Sequence, residues 1–479
     1  MQFENLIGGR WQGQNFTQNV NPSDTADVIG EYASATLDET QDAIRAAAAA
    51  RGQWRDFPPA ERVAALRRIG NTILERRAEL GAALSREEGK IRAEGIGEAT
   101  RAGMTFLYYA SQVEQEQGSL FSSSRANTAI HTARKPVGAV GIITPWNFPL
   151  AIPAWKIAPA LAFGNTVVFK PADLVPSSAW LLAEIIHQSG IPDGVFNLVM
   201  GKGRTVGDAM AKSPDLNAIT FTGSTATGLA IARAGIANGP KRIQTEMGGK
   251  NSLIVLDDAD LVTAIDAVMD GAFVSTGQRC TATSRVIATR GIYPSLIEGV
   301  AKRMKGLRVG HALEADIDIG PLASQAQFDQ VSEYIELGQR EGAELVAGGE
   351  AIENSTPGYY LQPALFAGGA SQMRINQEEI FGPVACVIET DDLDDAIITA
   401  NDTRYGLCAG IITDSNKAIV KFQREMDAGM LHVNRSTALT ELHVPFGGSK
   451  SSSYGPREQG TAAREFFTTL ATVYTTTVV

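Results

Sequence analysis

Residues 217–235, NAITFTGSTATGLAIARAG, read as a β-rich run, a turn carrying Gly223 and an Ala-rich helix. A glycine between strand and helix lets a phosphate approach the backbone, and the helix start behind it leaves N–H donors without intrahelical partners. Taken alone, the turn is equally an ordinary βα connection. Its setting decides the fold. On its amino-terminal side lie VGAVGIIT (137–144), NTVVFK (165–170) and GVFNLVM (194–200), interleaved with the helix-like SSAWLLAEIIHQSG (177–190) and TVGDAMAKS (205–213). This alternation predicts parallel strands with crossover helices, an α/β doubly wound sheet that takes ligands at the carboxyl ends of its strands. Residues 38–118 are Ala-rich with apolar positions three and four apart, which predicts helices. A second alternating region, with NSLIVL (251–256), TSRVIAT (283–289), PVACVIE (383–389) and CAGIITD (408–414), predicts another α/β layer between about 250 and 448. The tail TTLATVYTTTVV (468–479) has the Thr and Val content of an exposed strand able to pair elsewhere.

The chain has 479 residues, 44% apolar and 20% charged. That exceeds the roughly 250–300 residues at which one core stops growing, so two or more domains are expected. Forty-two basic against fifty-three acidic side chains leave a net charge of −11 with no Lys/Arg block, so no nucleic-acid partner is expected. The start MQFENLIGGRW lacks a basic stretch followed by an apolar core, and three widely spaced cysteines suit reduced thiols; a cytoplasmic location is expected. Residues 137–169 are strongly apolar, but Pro145, Pro149, Pro153 and Pro159 interrupt them and Asn147, Lys156 and Asn165 fall inside. Buried strands and loops, and no membrane span, are expected there.

The chemistry turns on STGQRCTATS (275–284), where Cys280 stands beside Arg279 among small polar residues. Arg279 favours a thiolate if the site is partly exposed, while a small buried core residue is the alternative reading. Cys386 and Cys408 lie in apolar strand-like runs and read as core. Leu229 and Ala230 follow Gly228 where a nucleoside triphosphate loop needs Lys and Ser/Thr, so that reading fails. His432 and His443 lack metal-ligand spacing, and no metal is expected.

Seven segments taken together, TPWNFP (144–149), FKPAD (169–173), FTGST (221–225), EMGGKN (246–251), GQRC (277–280), EEIFGPV (378–384) and PFGGSK (445–450), resemble the aldehyde dehydrogenase superfamily over essentially the whole chain. The resemblance implies a Rossmann-like NAD(P)-binding domain at 1–117 and 137–248, an α/β catalytic domain at 249–448, and a small β oligomerisation element at 118–136 and 449–479. It implies Cys280 as nucleophile, Asn147 as an oxyanion donor and Glu246 as the general base that activates water for hydrolysis of a thioester. It further implies a site for NAD or NADP at Thr144, Pro145, Trp146, Lys170, Asp173, Gly203, Phe221, Gly223, Ser224, Met247, Gly248, Glu379 and Phe381. Asp173 stands where NAD-preferring relatives often carry glutamate, so a weaker repulsion of a 2′-phosphate is expected and NADP is acceptable beside NAD. The tail is expected to pair with a neighbouring subunit in a homodimer or homotetramer.

For the small-molecule aldehyde, Trp155 and Val274 stand where succinate semialdehyde enzymes carry arginines, which disfavours that branch. The combination AIPAWKIAPAL, KPADLVP, HVNR and SSYGPREQG looks instead like α-ketoglutaric semialdehyde (2,5-dioxopentanoate) dehydrogenases. Arg279 or Arg435 would then hold the substrate carboxylate and Trp155 pack along its carbon chain; either arginine is alternatively structural. Other semialdehydes or aliphatic and aromatic aldehydes are the rival substrates, and a non-catalytic descendant of the fold the rival of another class.

Overall fold

The structure, a computed structural model, describes residues 1–115 and 118–477. The expected boundary at residue 117 and the final two residues of the expected tail strand lie outside the described residues.

Five parallel strands, Ala139–Ile143, Thr166–Lys170, Phe196–Leu198, Ala218–Thr222 and Arg242–Glu246, form the middle of the first sheet. Numbered by chain order they lie 3-2-1-4-5 in space, so the winding reverses between Ala139–Ile143 and Ala218–Thr222. A crevice opens above the carboxyl ends of strands at such a reversal. The uninterrupted apolar runs follow from burial on both faces: Val140, Ile142, Val167 and Phe169 enter one core, Ala139, Ile143, Val168 and Ile219 the other. Antiparallel strands Asn5–Ile7 and Ser453–Tyr454 flank the five.

Helices do occupy the 38–118 region, from Leu37–Arg55 to Arg92–Gln112. Within 137–169 the expectation of strands and loops fails over Ala151–Ala162, which is a helix buried at every position. Pro153 falls in its first turn, where backbone N–H groups have no intrahelical acceptor, and Pro159 gives up one ladder bond that all-round packing outweighs. The carboxylate of Glu98 caps its start, accepting from the N–H groups of Leu150 (2.8 Å) and Ala151 (3.0 Å).

In the second sheet, Ala364–Ala367, Val384–Thr390, Thr283–Thr289, Asn251–Val255, Cys408–Ile412 and Met430–Val433 are parallel in that spatial order. Residues 247–250 pass from the carboxyl end of Arg242–Glu246 to the amino end of Asn251–Val255. The crevice over the first sheet is therefore faced by the amino ends of strands in the second. Cys280 precedes one of them, Thr283–Thr289.

The tail strand Thr468–Thr476 pairs antiparallel with Thr128–Pro136 of its own chain through nine registered positions, and Leu120–Phe121 adds on the far side. Among the described residues, no helix is long and apolar enough to cross a membrane, and no group of His, Cys, Asp and Glu is arranged to hold a metal ion.

Candidate active site

Three consecutive residues before the cysteine loop, Ser275, Thr276 and Gly277, have φ of 53°, 54° and 63°. Left-handed backbone costs about 1–3 kcal/mol at a non-glycine position, so neighbours must hold this turn. Glu94 does so by accepting from both the N–H (2.8 Å) and the hydroxyl (3.0 Å) of Ser275. The hydroxyl of Thr276 donates to the carbonyl of Gly320 at 3.2 Å. At Gly277 a Cβ would stand 2.3 Å from the carbonyl oxygen of Gly382, so only glycine closes the turn. The turn delivers the carbonyl of Gln278 to the amide of Asn147, which donates one of its two Nδ2 hydrogens at 2.9 Å. Beyond it, the Asn251 amide fixes the carbonyls of Cys280 (2.8 Å) and Ala282 (2.9 Å).

Cys280 is partly exposed, whereas Cys386 and Cys408 are buried in strands as expected. Burial first, then the carboxylates of Glu379, Glu246 and Glu458, push the Cys280 thiol up to about 12, while its own backbone N–H opposes them. Arg279 lies close enough to interact electrostatically with the thiol but makes no hydrogen bond to it. Its guanidinium turns to the carbonyls of Asp270 and Gly271, at the carboxyl end of helix Leu261–Phe273.

Cys280 opens on a cleft of about 460 Å³ between the two sheets. Asn147, Pro145 and Trp146 border it from the end of Ala139–Ile143, Gly223 and Ser224 from the turn after Ala218–Thr222, and Met247 and Gly248 from the crossover between sheets. Glu379 and Phe381 close the far side, with the Phe381 ring edge-on to Trp146 at 5.3 Å between centroids. Glu379 accepts from the N–H of Gly249 at 2.9 Å, and burial pushes its carboxyl up to about 7. Thr144, Lys170, Asp173, Gly203 and Phe221 are not at the cleft wall. Lys170, at the end of the neighbouring strand, donates to Asp173 at 2.7 Å and accompanies Thr144 through the Thr144 N–H to Lys170 carbonyl bond (3.2 Å). Burial pulls the Lys170 ammonium below its ordinary value, with Asp173 opposing. Phe221 lies beneath Gly223 and Gly228, and Gly203 begins a short turn that starts a helix further along the sheet.

Glu246 also stands off the cleft wall. Only 2% exposed, it accepts from the hydroxyl of Ser453 at 2.5 Å across the pairing of their two strands. Its carboxylate rests over Gly447 (φ +142°), where a Cβ would come within 2.8 Å of it. Burial and the nearby Glu458 carboxylate raise Glu246 well above the ordinary carboxylate range, against Ser453, Lys156 and Arg457. Glu458 is itself held by an ion pair with Lys156 and by the indole N–H of Trp155 at 2.7 Å. Trp155 thus spends its polar edge on Glu458, with its ring 5.6 Å from that of Phe446. Arg435 is exposed beside His432, whose imidazole burial holds down to about 4.

The residues around the turn at 223 suit a dinucleotide. The hydroxyls of Thr144, Thr222 and Thr225 are buried without a partner, and helix Thr225–Ala237 begins at the cleft with Ser224 as its N-cap. Gln327, Gln330 and Tyr334 escaped the sequence reading. They occupy one face of helix Gln325–Arg340 at spacings of three and four, and the two glutamines donate to the carbonyls of Ile380 and Phe381, holding Phe381 at φ 60°. Their periodicity was the available signal, but nothing local linked it to EEIFGPV. Lys156, Ser453 and Glu458 were missed for the same reason, and so was Arg404 at the cleft wall.

The sequence profile of the aldehyde dehydrogenase family matches residues 11–473. The chain belongs to the aldehyde dehydrogenase family. An α-ketoglutaric semialdehyde dehydrogenase of Bacillus subtilis (strain 168) is 44% identical over 98% of this chain and 97% of that protein. A 2,5-dioxopentanoate dehydrogenase of Saccharolobus solfataricus is 41% identical over 95% of each. Among solved structures, betaine aldehyde dehydrogenase of Staphylococcus aureus in complex with NAD+ superposes with a TM-score of 0.96 at 30% identity, covering 99% of this chain and 95% of that one. An NAD-dependent aldehyde dehydrogenase from Sinorhizobium meliloti gives 0.96 at 33% identity, covering 99% and 95%. The chain shares the fold of these aldehyde dehydrogenases over nearly its whole length and is an oxidoreductase of that family.

Proposed function

We propose that this aldehyde dehydrogenase oxidises α-ketoglutaric semialdehyde to 2-oxoglutarate with NAD or NADP. The observation that carries the reaction is that Cys280 and Asn147 border one cleft with the helix-initiating turn at 223–225. The substrate is supported by three relatives of that activity at 41–44% identity.

Cys280 gives up its thiol proton to solvent, its Sγ adds to the aldehyde carbon, and the oxygen takes up negative charge beside the remaining Nδ2 hydrogen of Asn147 and the backbone N–H of Cys280. The nicotinamide cofactor, when bound, accepts the hydride. Gly223, Ser224 and the open helix start hold its pyrophosphate, with Thr144, Pro145, Gly203, Phe221, Met247 and Gly248 shaping the surroundings. Lys170 and Asp173 serve the adenosine ribose, and Trp146, Glu379 and Phe381 the nicotinamide side. Asp173, already bonded to Lys170, repels a 2′-phosphate weakly enough for NADP to be accepted. The acyl group left on Cys280 as a thioester is hydrolysed by water that Glu246 deprotonates, releasing the acid and the free thiol. Glu246 is proposed to leave Ser453 for the cleft at that step, since its bond to Ser453 turns it away in the resting enzyme.

Residues 1–117 and 137–248 form the cofactor domain, 249–448 the catalytic domain, and 118–136 with 449–479 the oligomerisation element. Leu120, Phe121, Leu470 and Tyr474 are all more than half exposed on that element, which supports a homodimer or homotetramer; a cytoplasmic enzyme with no nucleic-acid or membrane partner completes the proposal. The test is a panel of α-ketoglutaric semialdehyde, glutarate semialdehyde, pentanal and benzaldehyde, each with NAD and with NADP. Highest kcat/KM for the first is expected, and an equal or greater value for pentanal would refute the substrate. Arg279→Ala and Arg435→Ala in the same panel test whether either arginine serves the carboxylate, and Cys280→Ala must abolish turnover.

A further inference from the structure

Arg101, on the inward side of helix Arg92–Gln112, feels the carboxylates of Glu441 and Glu98 but contacts neither. Its guanidinium donates to two neutral oxygens, the carbonyl of Thr440 (2.8 Å) and the side-chain oxygen of Gln459 (3.1 Å), and its Nε has no partner. Among the described residues it makes no ion pair. Beside it Gln459, only 1% exposed and held at φ 60°, leaves its Nε2 unpartnered as well. Two neighbouring enclosed donors without acceptors, one of them on a cation, are an arrangement that an anion completes, since such groups are costly to leave unsatisfied.

The position is as informative as the chemistry. Arg101 Cζ lies 5.8 Å from the centre of the Trp155 ring, that ring lies 5.6 Å from Phe446, and Phe446 packs in one cluster with Cys280. Two aromatic rings thus stand in sequence between the cluster that packs on Cys280 and the guanidinium. The arginine as a whole stays partly exposed. The other cations near the cysteine are less suited: Arg279 is engaged with the end of its helix, and Lys156 with Glu458.

We infer that Arg101, with Gln459 beside it, binds the carboxylate at the far end of the substrate while the aldehyde meets Cys280, and so selects semialdehydes that carry an acid group. The inference rests on the substrate class proposed above. Trp155 and Phe446 line the carbon chain between the two ends. Arg101 is a specificity residue with no part in bond making.

The test compares kcat/KM for α-ketoglutaric semialdehyde with that for pentanal, which has the same carbon count and no carboxylate. In Arg101→Met the ratio is expected to fall by about thirtyfold or more, through KM for the semialdehyde, the size for truncating one partner of a buried charged contact. Arg101→Lys keeps the charge without the planar fork and is expected to recover part of the ratio. A general structural defect would lower both substrates together and leave the ratio unchanged, which overturns the inference. Should Arg101→Met fail to fold, Arg101→Lys is assayed for competitive inhibition of pentanal oxidation by glutarate; inhibition equal to that of the parent enzyme also overturns it. A parent enzyme that does not favour the semialdehyde over pentanal refutes the proposed substrate itself, whatever the variants do.

Discussion

At the scale of single residues, burial shifts the ionisable groups of the resting site toward their neutral forms. Cys280 is pushed up to about 12 and Glu379 up to about 7, in both cases chiefly by burial. With the thiol that high, the thiolate fraction grows about tenfold per pH unit throughout the neutral and mildly alkaline range. Alkylation of the cofactor-free enzyme by iodoacetamide is therefore expected to climb without a plateau between about pH 7 and 9; a plateau near neutrality would mean a better-stabilised thiolate. Glu379 is charged above about pH 7 and disfavours the thiolate. Glu379→Gln should lower the thiol pKa and speed alkylation measured at about pH 8. Glu246→Gln should leave acylation in place and slow hydrolysis by about a hundredfold or more. Intact-mass measurement of quenched turnover would then find Cys280 carrying the acyl group.

Between elements, long-range pairs set the geometry. The left-handed turn before Cys280 depends on Glu94, which also accepts from the Ile91 N–H at the start of its own helix. Glu94→Ala removes acceptors from both places and is expected to lower stability by about 1–3 kcal/mol in urea unfolding, with a fall in kcat as the turn relaxes. Glu458 couples helix Ala151–Ala162 to the carboxyl-terminal region through Lys156 and raises Glu246 by its charge. Glu458→Gln removes that charge and leaves the Lys156 ammonium unopposed, and both changes lower Glu246. If Glu246 is the base, the acid limb of the kcat–pH profile should move to lower pH; an unmoved limb would separate Glu246 from the hydrolytic step.

Over the whole molecule, two doubly wound sheets face each other so that the carboxyl ends of one meet the amino ends of the other, and the short crossover at 247–250 sets the spacing between them. The small sheet of Leu120–Phe121, Thr128–Pro136 and Thr468–Thr476 has Leu470 58% exposed on its edge strand. An exposed leucine contributes little within one chain, so Leu470→Asp is expected to change the stability of an isolated chain by no more than about 0.5 kcal/mol. If this sheet joins subunits, the same substitution shifts sedimentation toward smaller species. Unchanged sedimentation would remove the sheet from the interface.

Much of this was legible along the chain. Alternating apolar runs and glycine turns are local signals, sufficient for the parallel strands, the helix start at Ser224 and the reading of Cys386 and Cys408 as core. The helix at Ala151–Ala162 was not legible, because its prolines argue against a helix until burial on every side is known. Nor was the withdrawal of Glu246 behind Ser453, 207 residues away, or the contact of Arg101 with Gln459, 358 residues away. Strand and helix type follow from neighbours in sequence, so the sequence by itself determined the layered α/β architecture and singled out Cys280 from the two core cysteines. Which charges are paired, which are stranded and which face the cleft depends on chain segments brought together only when the two sheets pack, and that the tertiary structure alone decided.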